Sequence, residues 1–252
     1  QFDFLGANRA IRADGIDLLI EGALPWLLSP LRGEGFIGRM QAQALSAFGL
    51  DRDPGRWPLE HQLFAALQSG DAPGAIVLGE PVAPALPTLQ SDADLDALAD
   101  AASRGALAGS SAAGEQPKFL ARCSDGWPAL VKFSPPRATP FGVRWHDLLQ
   151  AEALALAVLA EHGAPVAQAE LVVTARRSYL VSRRFDRVGS DGRRHAVPLQ
   201  ALHDAFVHGP RQHWTASVEA LAAQRRLPAE AVPQVRAIQQ FGRLIGNTDM
   251  HF

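Results

Sequence analysis

GALAGSSAAGEQPKFLARCSDGWPALVKF, residues 105–133, sets the reading of everything around it. Its first half holds three glycines, two serines and several alanines. Such a stretch packs little, and its backbone N–H groups can wrap an anion; the same composition also makes a flexible linker. It is not the GxxxxGK[ST] phosphate loop, because Lys118 is followed by Phe119 and by no helical pattern. Residues 119–123 and 129–133 are short alternating runs on either side of Ser124-Asp125-Gly126, and Asp-Gly between such runs predicts a β-hairpin. Lys132 falls on the second strand between Val131 and Phe133, where an ammonium either snorkels outward or meets a partner.

Downstream, residues 145–162 read as a strong helix with Leu148, Leu149, Leu156 and Leu159 among its apolar positions. Glu152 lies inside it, and on spacing alone such a glutamate is more often solvated than paired. Gly163 ends the helix. Residues 171–174 and 179–185 form a second strand pair, closed by Arg183-Arg184-Phe185-Asp186-Arg187. Helices are expected over 203–207, 217–223 and 233–246. In the last, Val235, Ile238, Phe241 and Ile245 recur at steps of three and four and define one face, which Gly246 and Asn247 terminate. Asp249 and His251 follow on a loop. A carboxylate there is placed to take a proton from an alcohol, although an Asn-Thr-Asp run also makes a turn that bonds its own backbone. His203, His208 and His213, five apart and interrupted by Gly209-Pro210, do not stack on one helical face and argue poorly for a metal site.

Upstream, residues 16–20 and 75–78 read as brief strands. Residues 24–31 look irregular, and 36–48 and 59–67 read as helices, the first with Ile37, Met40 and Ala44 on one side. A Pro/Ala linker at 81–87 is the best domain boundary. Ser91 can cap a helix over 93–102, with Asp92 and Asp94 favoured in its first turn.

The chain has 252 residues, 47% of them hydrophobic and 20% charged, which fits an ordered protein with room for real cores. A net charge of −2 gives no global field toward nucleic acid or a membrane. Cys123 is the only cysteine, so a reducing cytoplasm is the easy fit. No apolar run reaches membrane-spanning length. Of 24 basic side chains only Lys118 and Lys132 are lysines, close together, and a lysine is suited to gripping phosphate. Gln at position 1 and the abrupt end after His251 read as a piece of a longer protein.

The order of parts resembles a protein-kinase-like phosphotransferase: Gly/Ser loop, strand with lysine, helix with glutamate, hinge strand, helical region, loop with an aspartate. More specifically, SSAAGEQPK (110–118), ALVKF (129–133), VSRRFDR (181–187) and LIGNTDMH (244–251) resemble motifs of the HipA family of serine/threonine kinase toxins, in its YjjJ-like branch. The resemblance implies an α+β, protein-kinase-like bilobal fold, cut short in its C-terminal lobe and preceded by a small mixed α/β subdomain. Its divisions would be residues 1–85, 86–190 with the Gly-rich loop, and 191–252 ending in the catalytic loop. It implies ATP and Mg2+ as cofactors. Ala113, Gly114, Glu115, Gln116 and Lys118 would lie in the loop over the nucleotide phosphates, and Ser111 would be autophosphorylated. Lys132 would pair the phosphates, Glu152 would hold Lys132, and Arg183, Arg184 and Phe185 would line the adenine pocket. Asp249 would orient the substrate hydroxyl with His251 beside it, across one cleft from Lys132. The magnesium ligands are expected beyond Phe252, with none within this chain, so the piece itself is expected to be inactive. A protein substrate such as a translation factor or aminoacyl-tRNA synthetase is implied, together with a HipB-like antitoxin. DNA would be met only indirectly or through an upstream segment, and no membrane is implied. Arg183 stands where the family usually shows an acid, which favours an alternative: a catalytically silent kinase-like scaffold acting as a regulatory or protein/DNA-interaction module.

Overall fold

A computed structural model describes residues 24–68, 71–79, 85–104, 116–189, 192–250 and 252. The strand expected at 16–20, and the positions Ser111, Ala113, Gly114, Glu115 and His251, lie outside the described residues.

The hairpin forms where Asp125-Gly126 places it. Strand β1 (Lys118–Arg122) turns back as β2 (Pro128–Phe133), pairing Lys118 with Lys132 and Arg122 with Pro128. Gly126 takes φ +85, which its missing side chain permits, and its N–H bonds the Cys123 carbonyl. Strands β3 (Ala169–Val173) and β4 (Ser178–Arg183) complete an antiparallel four-stranded sheet in the order β1-β2-β4-β3. A two-residue pair, β5 (Arg187–Val188) and β6 (Gly192–Arg193), extends beyond β4.

Period-two alternation gives this sheet two different faces. Phe119, Ala121, Val131, Phe133 and Tyr179 pack with Leu95, Ala99 and Ala102 of helix α3 (Asp92–Ser103), all at most 4% exposed. The cap at Ser91 is a full capping box, with the Asp94 carboxylate accepting from the Ser91 backbone N–H at 2.8 Å. The opposite face carries Leu120, Leu130, Lys132 and Ser182 and looks toward helix α4 (Pro140–Glu161). That helix starts five residues before the sequence expectation, because Thr139 caps it and Pro140 fits its first turn.

Residues 24–79 hold helices α1 (Gly35–Leu45) and α2 (Leu59–Gln68) and a 3-10 helix over Trp26–Leu31 where irregular chain was expected. Among the described positions of α1, Gly38, Ala42 and Leu45 are buried, Met40 is half-buried and Ala44 is exposed, while the side chain of Ile37 lies outside the described ones. The strand expected at 75–78 does not form. Ala72 and Ile76 pack instead on Leu28, Leu31 and Ala66, and no strand occurs among the described residues of 24–79.

The C-terminal part is helical: α5 (Leu199–Phe206), α6 (Trp214–Ala223) and α7 (Ala231–Leu244). Gln239 of α7 accepts from Thr215 N–H at 2.9 Å and Thr215 Oγ1 at 2.6 Å, tying α7 to α6. Val235, Ile238 and Phe241 are half-buried as their spacing predicts, but Ile245 is exposed on the last turn. Among the described residues no helix is long and apolar enough to cross a membrane.

Candidate functional site

Lys132 leaves the β2 strand on the face opposite the α3 core and meets α4. Its Nζ stands 2.5 Å from Glu152 Oε1, so the partner that spacing left open is this carboxylate. Both are partly open to solvent, with side chains 25% and 38% exposed. They line a cleft of about 490 Å³, within the ~300–1,000 Å³ range of small-molecule sites. Leu120, Leu130 and Leu156 give it an apolar floor. Arg183, Arg184 and Phe185, at the end of β4 and just past it, form one side. Pro30, Arg32 and Pro73 from the first 79 residues form another, and Ala196–Pro198 lead from the cleft into α5.

The two hinge arginines do different things. Arg183 reaches back over the hairpin to Asp125 at 2.6 Å. The Trp127 N–H, then the Arg183 guanidinium, hold the Asp125 carboxyl below its ordinary range. Arg184 turns inward to a buried ring of charge. Its Nη1 donates to Asp71 Oδ2, its Nε and Nη2 donate to Asp186 at 2.9 and 2.7 Å, and Arg187 closes the ring onto both aspartates. All four side chains are under 9% exposed. Burial pushes the Asp186 carboxyl up, but Arg184, Arg187 and the Gly74 N–H outweigh it and leave the group below its usual value. Phe185, between the two, is 65% exposed and presents a bare ring beside the cleft.

Gln116 lies at a bend before the sheet, whereas Lys118 is the first residue of β1, opposite Lys132, and is buried. Asp249 follows α7 on an exposed turn, where its N–H bonds Asn247 Oδ1 at 2.9 Å. Its neighbours anchor that turn. Met250 packs on Gly242, and the Phe252 ring stands 5.7 Å from the ring of His203. Asp249 is not among the described residues lining the cleft that holds Lys132. His203 is held by Ser217 and the Gly209 carbonyl, and His213 caps α6. Among the described residues no group of three or more His, Cys, Asp or Glu could hold a metal ion. Asp71 was invisible to sequence reading, because a lone acid after a glycine carries no signal of a partner more than a hundred residues away.

The site thus joins a sheet carrying a lysine to a helix carrying its carboxylate partner across a small-molecule-sized cleft, and comparison with known families gives the class of protein. Residues 110–252 match the HipA-like C-terminal domain and residues 7–85 the YjjJ-like toxin middle domain, so the chain belongs to the HipA family, in its YjjJ-like branch. It is 36% identical over 254 aligned residues to Toxin YjjJ of Escherichia coli (strain K12). That alignment covers 95% of this chain and 57% of the relative, so the chain spans little more than half of the relative's length.

Proposed function

We propose that this chain is the nucleotide-binding part of an ATP-dependent protein serine/threonine kinase of the HipA toxin type. The observation that carries the reading is the Lys132–Glu152 pair opening onto the cleft beside Arg183–Phe185. In a phosphoryl transfer the protein mostly positions and neutralises, and a carboxylate-steadied lysine is suited to hold two phosphates. The base would lie against Phe185 and the leucine floor. The loop of Ala113, Gly114, Glu115 and Gln116, which runs into β1 at Lys118, would cover the phosphates, with Ser111 as its autophosphorylated residue. Asp249 and His251 would serve the acceptor hydroxyl. These roles accord with two lobes, a sheet-rich one over residues 86–190 and a helical one starting at 191, behind a subdomain of residues 1–85. The described residues do not supply a magnesium site. The name of the Escherichia coli relative supports a toxin role, which would bring an antitoxin partner and a cytoplasmic protein substrate such as a translation factor.

A second reading keeps the cleft and drops the chemistry: a silent kinase-like scaffold. It is favoured by the absence of Asp249 from the described cleft lining and by Arg183 being tied to Asp125. Titration of the chain with ATP tests the cleft. Labelled-phosphate transfer by the full-length protein, with mass spectrometry at Ser111, separates kinase from scaffold. Transfer that vanishes in Asp249→Asn supports the kinase. Tight ATP binding without any transfer supports the scaffold, and no ATP binding refutes both.

A further inference from the structure

The buried ring stands directly behind the cleft. On one side of it Arg184, Phe185 and Asp186 all face the cleft, and on the other so does Pro73. Asp71 has both oxygens engaged, one by each arginine, and Asp186 receives Arg184, Arg187 and the Gly74 N–H. Arg187 also donates to the Ala72 carbonyl at 3.1 Å. Residues 71–74 are thus fastened to residues 184–187 by charged groups that have no water to fall back on. Phe185 has little burial of its own to fix it, so its place is set by the two residues that flank it.

We propose that Asp71 is a positioning residue for the cleft: by locking residues 71–74 to the Arg184–Asp186 turn, it couples occupancy of the cleft by a nucleotide to the docking of the amino-terminal segment. The proposal rests on the nucleotide reading of the cleft. A fastener shared by both walls loosens both when one is free to move, and by reciprocity a ligand that bridges the walls tightens the fastener. A ring that only stabilised the fold would show no such response to ligand.

The test uses the 252-residue chain and a non-hydrolysable ATP analogue. In the wild type, binding should slow hydrogen exchange at the amides of Asp71, Ala72, Gly74 and Ala75 while leaving α1 unchanged. Asp71→Asn should weaken the analogue at least about fivefold, the lower end of ordinary site-to-site coupling. Asp71→Glu, which keeps the charge but lengthens the arm, should fall between. If Asp71→Asn does not fold, the exchange measurement and Asp71→Glu decide. Analogue binding with no change in exchange at these amides, or with full affinity in the folded variants, overturns the proposal and leaves the nucleotide reading standing. No binding by the wild type removes the nucleotide reading and the proposal with it.

Discussion

Lys132 Nζ lies 2.5 Å from Glu152 Oε1, so the second strand of the hairpin and a 22-residue helix are joined at the cleft by one charged contact. Because both groups are partly solvated, the pair adds only about 0–1 kcal/mol to folding. On the nucleotide reading its value is in aiming the ammonium. Lys132→Ala should therefore leave the melting temperature nearly unchanged and weaken ATP at least about tenfold, or ~1.4 kcal/mol. Glu152→Gln should weaken it less. Calorimetric titration of both variants checks this, and equal ATP affinity in Lys132→Ala and wild type would falsify the assignment.

The ring behaves oppositely. Arg187 is 7% exposed and serves two buried carboxylates, so removing its charge strands them. Arg187→Gln should destabilise the chain by about 3–5 kcal/mol in chemical denaturation. A loss under about 1 kcal/mol would mean that water reaches the ring.

His195 bridges two distant segments: its Nε2 bonds the Leu27 carbonyl at 3.1 Å and its Nδ1 faces the Ala75 N–H at 3.4 Å. Burial lowers its pKa, against a smaller upward push from the Leu27 carbonyl. The unfolded chain then takes up the proton first as pH falls. The resulting stability is present above the unfolded value of about 6.5 and is lost as pH drops through the lower folded value. The melting temperature of the wild type should decline as the pH falls below the unfolded value of about 6.5, and His195→Gln should flatten that decline. Parallel slopes for the two proteins would contradict it.

Gly142, in the first turn of α4, has no room for a side chain. A Cβ there would come within 2.0 Å of the Pro136 carbonyl oxygen, a backbone atom that cannot swing aside. Glycine to alanine inside a helix ordinarily gains about 1 kcal/mol. Here Gly142→Ala should instead cost roughly 1–3 kcal/mol. A thermal melt showing stabilisation would rule out this packing.

Local chemistry explains which parts could be read from the chain. Asp125-Gly126 carries its turn in two residues, Ser91 and Asp94 carry their cap in four, and the alternation of 129–133 shows that Lys132 faces away from Val131 and Phe133. Signals that depend on tertiary neighbours were not legible. Ala75-Ile76-Val77-Leu78 has strand composition, but among the described residues it pairs with no strand and packs as irregular chain against the 3-10 helix at Trp26–Leu31. Thr139-Pro140 starts α4 five residues before the expected 145–162, whose apolar spacing begins only at Leu148. The Lys132–Glu152 contact was reached through resemblance, because spacing alone cannot say which way a helix faces. The partnership of Asp71 with Arg184 and Arg187 had no sequence trace at all.

The two-faced sheet also constrains how the gene can change. Removing a single residue between Gly126 and Lys132 would shift the parity of β2, sending the ammonium into the apolar layer under α3 and a phenylalanine toward the cleft. Removing two would restore the parity. Length changes along this short run should therefore be tolerated, if at all, only in even steps.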